Sequence, residues 1–151
     1  MLSKACEYGI KAVVCLAVAS ERGEKKSVAC IANNIDSPEA YTSKILQKLV
    51  RADIVTSVKG KNGGFLISQE RLKTLILWDV IEVIDGLDIT AKCVLGLAKC
   101  SDENPCPIHE NYKDIRADLI HFLKDTPIEL LSSRVKLGEG ILKINKNLKT
   151  I

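Results

Sequence analysis

The chain has 151 residues, of which 46% are hydrophobic, 27% are charged and 4% are aromatic. Such a chain is globular, forms one domain with an added helix or two, and buries a core of mainly aliphatic side chains. It contains no run of about eighteen apolar residues, which excludes a membrane-spanning helix and predicts no membrane partner.

The charge and the cysteines indicate the partner and the compartment. Residues 1–75 carry 12 Lys and Arg against 7 Asp and Glu, whereas residues 76–151 carry 10 against 12. A basic N-terminal half suits a polyanionic partner. The apolar run 12–18 resembles a signal peptide, but it is short and follows Glu7 and Lys11, so a helical stripe explains it better. We therefore expect a cytoplasmic protein, whose six cysteines stay reduced and suggest metal chemistry.

Three helices are predicted in the first third of the chain. Apolar residues at helical spacing predict a first helix over residues 3–21. Ser27 is placed to cap a short second helix that ends near residue 36. Ser37 is the predicted N-cap of a third helix, which has Pro38 at its first position and runs to about residue 51. The polar and basic outer face of this helix consists of Tyr41, Thr42, Ser43, Lys44, Gln47, Lys48 and Arg51.

The second and third helices, joined by a tight turn, predict a helix-turn-helix motif that binds double-stranded DNA. Residues 54–58 and 65–67 are predicted strands joined by a basic, glycine-rich connection. This hairpin could be an ordinary one with a solvated turn. Because it directly follows a candidate recognition helix, we favour the alternative that it is the wing of a winged-helix domain. The residues that its tip offers to DNA are Lys59, Lys61, Asn62 and Gly63. The predicted fold is therefore mainly α with a small β-hairpin, and residues 1–86 form a winged helix-turn-helix domain.

Two longer helices are predicted after the hairpin. The first covers residues 72–85, and the second lies within residues 105–131. Apolar residues in the second are spaced alternately four and three apart, as in a heptad seam: Ile108, Tyr112, Ile115, Leu119 and Phe122. The seam predicts a helix that pairs two copies of the chain, and the alternative is a helix packed on its own domain. Thr126-Pro127 is predicted to end this helix, and residues 128–131 are predicted to add one more turn. Residues 132–151 are a predicted C-terminal tail, which is rich in Lys and Asn from Gly138 and is expected to fray there.

A cysteine-rich segment, residues 87–109, separates these two helices. Cys93, Cys100, Cys106 and His109 follow the pattern C-x6-C-x5-C-x2-H, and the glycine and prolines between them favour a loop. A loop can fold several thiolates around one soft metal centre. The spacing therefore suits a cluster or a metal site better than a packing role.

The sequence resembles the IscR/NsrR/CymR family of bacterial winged-helix repressors over roughly residues 1–131. The likeness lies in the opening Ser3-Lys4 with Tyr8, residues 41–54, the wing Ser57-Val-Lys-Gly-Lys-Asn-Gly-Gly-Phe65, Asp79-Val-Ile-Glu-Val-Ile-Asp-Gly86, and the three cysteines with His109. The resemblance implies a homodimer that binds a palindromic operator. It also implies a [2Fe–2S] cluster held by Cys93, Cys100, Cys106 and a fourth, weaker ligand.

The resemblance offers two candidates for the fourth ligand. His109 matches a histidine ligand of the family. We favour it because it lies close to Cys106 in the sequence, so it can ligate without any particular arrangement of two subunits. Glu7 aligns with a carboxylate that ligates across the dimer in nitric-oxide-sensing members, so it would come from the partner subunit. Two departures are visible: six residues rather than five separate the first two cysteines, and Ser43 stands where IscR-like regulators carry a glutamate that helps set operator choice.

Three functions fit these patterns. The first, which we expect, is a transcription regulator whose operator binding is controlled by a [2Fe–2S] cluster that senses redox state, nitric oxide or cluster supply. The second is a constitutive DNA-binding protein with a structural Cys3His zinc site. The third is an enzyme with a reactive cysteine. It is disfavoured because the chain has only two histidines and no pattern of nucleophile, base and orienting group.

Overall fold

The computed structural model describes residues 2–87, 92–98 and 100–144, which form seven helices and one antiparallel hairpin. In chain order these are α1 (Lys4–Ser20), α2 (Val28–Ile35), α3 (Glu39–Arg51), β1 (Thr56–Val58), β2 (Gly64–Leu66), α4 (Gln69–Thr74), α5 (Leu77–Asp85), α6 (His109–Asp125) and α7 (Ile128–Lys136). The predicted fold class, mainly α with a small hairpin, is confirmed. The last part of the predicted tail, residues 145–151, lies outside the described residues.

Helix α1 is the centre of the fold. It packs against α2, α3, α5 and α7, and it buries side chains on most of its circumference. A Cβ atom added to Gly9 would lie 2.0 Å from Cδ1 of Ile84, so this glycine allows α5 to approach α1 closely. The predicted helix over residues 3–21 is confirmed, but it is buried on more of its circumference than the predicted apolar stripe alone would require.

The starts of α2 and α3 test the predicted caps. The Ser27 hydroxyl accepts a hydrogen bond of 3.2 Å from the Cys30 amide, which confirms the predicted cap of α2. At α3 the prediction was wrong by one residue, because Pro38 occupies the N-cap position and the helix begins at Glu39. The Ser37 hydroxyl instead contacts the Thr42 hydroxyl.

The hairpin is shorter than predicted but has the expected antiparallel pairing. Ser57 lies opposite Phe65, and Val58 lies opposite Gly64. Residues 54 and 55, which were predicted to begin the first strand, are instead buried core residues ahead of β1. Lys26 fixes the hairpin to the body of the domain, since its amide and carbonyl both hydrogen-bond to the backbone of Phe65, at 3.0 and 2.8 Å.

The single helix predicted over residues 72–85 was wrong. The chain is extended at Leu75 and Ile76, which separates α4 from α5. Here it pairs with the segment between α6 and α7: the Leu77 amide donates to the Thr126 carbonyl, and the Ile128 amide donates to the Leu75 carbonyl, each at 2.9 Å. These long-range bonds satisfy backbone groups that the broken helix leaves unpaired.

Helix α7 extends further than the sequence predicted. A single turn was expected over residues 128–131, followed by a tail, but α7 continues to Lys136 and packs on α1. The Ser132 hydroxyl donates to the Glu21 carboxylate at 2.9 Å, and Lys136 forms an ion pair with the same carboxylate. Among the described residues, no helix is both long enough and apolar enough to cross a membrane.

Candidate DNA-binding surface and cysteine site

The turn between α2 and α3 places the outer face of α3 at the surface. Asp36 ends α2 in the left-handed region, with φ of 53°, which turns the chain sharply into α3. Apolar side chains on the inner face of α3 lie in the core, so the opposite face is left accessible. Its exposed members are Tyr41, Lys44, Gln47, Lys48 and Arg51, and Ser43 is half-buried.

Thr42 does not belong to this accessible face. Its side chain is 0% exposed, and its hydroxyl donates to the Pro38 carbonyl at 3.0 Å. The prediction that Thr42 contacts DNA assumed an exposed side chain, and the observed burial contradicts that assumption. A threonine hydroxyl that bonds back to the carbonyl four residues earlier has its partner within its own helix and is not available to DNA.

Three residues of α1 extend the basic surface beside α3, and the sequence patterns did not single them out for this role. The rings of Tyr8 and Tyr41 meet edge to face, with centroids 5.8 Å apart. The ammonium groups of Lys4 and Lys11 lie 5.3 and 5.8 Å from the centroid of the Tyr8 ring. Their spacing on one helical face was the available signal.

The hairpin presents the predicted tip to solvent. Lys59, Lys61 and Asn62 are exposed between the strands. Gly60 has φ of +102°, and a Cβ atom on Gly63 would lie 2.2 Å from the Val58 carbonyl oxygen. Glycine is therefore required at both positions for this turn to form. The tip combines two cations with accessible backbone, which suits it to contact phosphates.

The cysteine-rich segment gathers the residues that the sequence singled out. Cys93 and Cys106 are buried, and their thiols lie close enough for each to shift the pKa of the other. The Cys100 Sγ atom lies 3.2 Å from Nδ1 of His109, which is the first residue of α6 and is only 3% exposed. The segment thus forms two pairs of candidate ligands within the single chain, Cys93 with Cys106 and Cys100 with His109. Among the described residues, no three of these four donor atoms all lie within 4.8 Å of one another.

Charge and hydrogen bonding around these thiols favour negative charge at Cys93. The Leu95 amide, helped by the Leu97 amide, Cys106 and Arg116, holds the pKa of the Cys93 thiol below its usual value despite burial. At Cys106 the Ile108 amide acts in the same direction, but burial and the neighbouring Cys93 and Cys100 outweigh it and raise its pKa.

Arg116 completes the surroundings of the thiols. Its Nη1 atom is buried and has no hydrogen-bond partner among the residues that the structure describes. A buried guanidinium nitrogen without a partner is costly, and an anionic group bound beside it would remove that cost.

His109 is bonded on both sides of its ring. While Nδ1 faces Cys100, Nε2 lies 2.9 Å from Oδ1 of Asp102. Lys113, one turn further along α6, also reaches that oxygen at 2.9 Å. Hydrogen bonds from His109 first and then from Lys113 lower the pKa of Asp102. The sequence analysis did not single out Asp102 or Lys113, although the i, i+4 spacing of His109 and Lys113 places them on one helix face.

The other candidate ligand and most of the predicted seam remain accessible in the single chain. Glu7 is in the first turn of α1, where it forms an ion pair of 2.7 Å with Lys4. The seam residues of α6 remain accessible: Ile115 and Phe122 are 62% and 56% exposed, Ile108 and Leu119 are also exposed, and Tyr112 is half-buried.

Comparison with known proteins decides which regulators this fold resembles. The sequence profile of the Rrf2 family, described as an iron-dependent transcriptional regulator, matches residues 2–134. This chain belongs to the Rrf2 family. A relative from Aquifex aeolicus, described as an HTH-type transcriptional regulator, is 30% identical over 131 residues, which are 85% of this chain and 89% of the relative. The IscR regulator of Klebsiella pneumoniae is 24% identical over 128 residues, covering 84% and 77% of the two chains.

Solved structures of Rrf2-type regulators share the fold. CymR, the global cysteine regulator of B. subtilis, superposes with a TM-score of 0.70 at 25% identity, covering 88% of this chain and 96% of CymR. IscR of T. potens superposes with a TM-score of 0.67 at 20% identity, covering 91% and 90%. The chain is therefore a winged helix-turn-helix transcriptional regulator, and the enzyme alternative is set aside.

Proposed function

We propose that this Rrf2-family regulator controls its operator binding through a [2Fe–2S] cluster held by Cys93, Cys100, Cys106 and His109. The observation that carries the proposal is the placement of two donor pairs, Cys93 with Cys106 and Cys100 with the buried His109, beside the start of α6. Thiolates are the preferred protein ligands of such clusters, and histidine replaces cysteine on one iron in some of them.

The donor set and its surroundings fit an anionic iron–sulfur group. The unpaired Nη1 atom of Arg116 and the amides of Leu95 and Leu97 provide positive charge and N–H groups beside Cys93. Hydrogen bonds to the sulfur atoms and nearby cations stabilise cluster-bound thiolates and tune the potential. The named relatives IscR and the family description point the same way.

When bound, the group would supply redox chemistry and would tie the cysteine-rich segment to α6. Helices that pack on one another connect the cysteine-rich segment to the proposed DNA-binding surface. His109 is the first residue of α6, which packs against α5, and α5 packs against α1 and α3. Release of the thiolates would free the segment ahead of α6, and the position of α6 would bias the arrangement of the α3 helices.

We propose that the regulator acts as a homodimer paired along the seam of α6. Ile108, Ile115, Leu119 and Phe122 are exposed together on one helix, and burying them against a second copy would be favourable. A two-fold dimer matches a palindromic operator, with one α3 helix in each half-site. In such a complex the contacts to bases come from Tyr41, Ser43, Lys44 and Gln47. The contacts to phosphates come from Lys48, Arg51 and the wing tip.

Zinc is the competing occupant, because three cysteines and one histidine form a closed tetrahedral zinc set. Glu7 of the partner subunit is the competing fourth ligand. One experiment separates these possibilities: anaerobic purification, iron, sulfide and zinc analysis, and visible spectra of the wild type and of the Cys100→Ala, His109→Ala and Glu7→Ala variants. We expect a coloured wild type with equal iron and sulfide, an altered spectrum for His109→Ala and an unchanged one for Glu7→Ala.

The same samples are then tested for operator binding. Colourless protein with one zinc per chain would support the constitutive zinc-bound regulator. A normal cluster and normal DNA control in the Cys100→Ala variant would refute the sensor.

A further inference from the structure

We infer that Asp102, held in place by Lys113, is the positioning residue that fixes the ring of His109 so that Nδ1 faces the cysteines. The inference rests on the proposed function, because it assigns a role to a residue beside the proposed ligand set. No pattern of cysteine and histidine spacing includes Asp102, which lies in the segment between Cys100 and Cys106.

The geometry defines which ring nitrogen is available as a ligand. The Asp102 carboxylate lies 2.9 Å from Nε2 of His109, and a carboxylate can only accept, so Nε2 must carry the proton. In the neutral ring Nδ1 is then the unprotonated nitrogen, and it is the atom that lies 3.2 Å from Cys100 Sγ. Imidazole binds metals through its unprotonated nitrogen, so the tautomer that Asp102 selects is the one able to ligate on the cysteine side.

Lys113 makes Asp102 a fixed group rather than a freely rotating one. Its ammonium group lies 2.9 Å from the same oxygen, Oδ1, that bonds to His109. His109 and Lys113 stand one turn apart on α6, so together they hold the loop carboxylate against the helix at two points. This is the arrangement in which a carboxylate bonded to a ligating histidine orients the ring and increases its basicity.

A neighbouring carboxylate provides a matched control. Glu110 follows His109 on α6, and a carboxylate oxygen of Glu110 lies within 4.8 Å of the donor atoms of Asp102 and His109. Among the described residues, however, it forms no hydrogen bond to the ring. Asp102→Ala removes both the charge and the hydrogen bond, whereas Glu110→Ala removes a comparable charge alone.

The first test uses the reduced protein without metal, so its result does not depend on the cluster. The imidazole nitrogens are labelled with 15N, and the tautomer of His109 is read by NMR at a pH where the ring is neutral. We expect the Nε2-protonated tautomer in the wild type and in Glu110→Ala, and a mixture in Asp102→Ala. A wild-type tautomer in Asp102→Ala would overturn the inference, as would an equal change in Glu110→Ala.

The second test uses protein reconstituted anaerobically with iron and sulfide. Loss of a partner that orients a ligand typically weakens metal binding about 10- to 100-fold, so the cluster of Asp102→Ala should be lost to a chelator at least roughly tenfold faster. In a His109→Ala background the Asp102→Ala change should have no further effect, because the two residues act as a unit. Additive effects would overturn the inference. A wild type that takes up no cluster would refute the proposed function, and the tautomer measurement would still decide the role of Asp102.

Discussion

At the scale of single residues, Gly63 determines whether the tip of the wing can form. A Cβ atom at this position would meet a backbone oxygen rather than a flexible side chain, so the turn must distort. We expect Gly63→Ala to cost on the order of 1–3 kcal/mol of stability, the usual cost of a backbone held in an unfavourable conformation, and to weaken DNA binding. Thermal unfolding and an electrophoretic mobility shift measure the two effects.

The control for this change is Gly140→Ala. Atoms near the ideal Cβ position of Gly140 lie no closer than 3.9 Å, so an alanine fits there without strain. Equal melting temperatures for the Gly63→Ala variant and the wild type would contradict the assignment of a strained tip.

Glu21 makes the contact between α1 and α7 depend on pH. Burial alone would raise the pKa of this carboxyl, but hydrogen bonds from Lys136 and Ser132 outweigh it and hold the pKa below the ordinary value of 4.5. A depressed pKa stabilises the fold above the unfolded value, and this contribution is lost as the pH falls through the folded pKa. We expect Glu21→Gln to lose about 0.5–1 kcal/mol near neutral pH and to show a smaller decline in stability on acidification.

Denaturant titrations from neutral pH down to below pH 4.5 would measure this effect, with Glu82→Gln, an exposed position on α5, as the control. Parallel acid curves for the wild type and Glu21→Gln would show that the carboxylate does not hold α7.

Residue-scale sequence patterns succeed where the signal is local and fail where a partner is distant. The cap at Ser27 and the glycines of the wing were predictable, because each acts on its immediate neighbours. The burial of Thr42 was missed, since a polar side chain on a predicted outer face was assumed to point to solvent. Asp102 was missed for the opposite reason, because an exposed aspartate in a loop has no distinguishing pattern until its partner His109 is placed beside it.

At the scale of elements, α6 carries the prediction about assembly. Replacing Leu119 with Asp would place a charge in the proposed seam, where its desolvation opposes pairing. We expect the Leu119→Asp variant to sediment as a monomer at micromolar concentration and to lose operator binding, while its helical content is unchanged.

A charge added off the seam provides the comparison. Ala117 is exposed on the same helix, so Ala117→Asp introduces the same charge without entering the seam. Dimers that persist in Leu119→Asp, or a wild type that is monomeric at the same concentration, would exclude pairing along this face.

The order and type of the elements followed from sequence patterns, but the largest differences from them lie at two boundaries. The break between α4 and α5 has no proline or glycine to mark it, and it forms where Leu75 and Leu77 bond to a segment some fifty residues away. Similarly, α7 continues past residue 131 because it docks on α1 through Glu21. Both differences arise from tertiary contacts that override local preference.

At the scale of the whole molecule, the positive charge of α3 and the wing predicts how binding responds to salt. Each lysine that contacts a phosphate displaces condensed counterions, so losing one such contact should lower the magnitude of the salt slope by about 1. The double change Lys59→Ala and Lys61→Ala should therefore reduce the magnitude of the salt slope by about 2 and weaken binding to all sequences alike. Gln47→Ala should instead alter base preference with little effect on the slope.

Fluorescence anisotropy at several salt concentrations, with specific and random duplexes, measures both effects. As a control, Lys124→Ala on α6 removes one positive charge away from the wing, since this ammonium group lies over the ring of Trp78. A salt slope that is unaltered by the double change would mean that the hairpin does not touch DNA.

The backbone pairing between residues 75–77 and 126–128 has a consequence for divergence among such regulators. Leu75 and Ile128 are hydrogen-bonded neighbours, so the long segment between them starts and ends at the same place in the fold. A residue gained or lost in the cysteine-rich segment is absorbed before residue 126, and a longer loop costs little further entropy. The cysteine-rich segment can thus change in length without moving the backbone pairing that closes it, so the proposed ligand site and the exposed face of α3 are free to evolve separately.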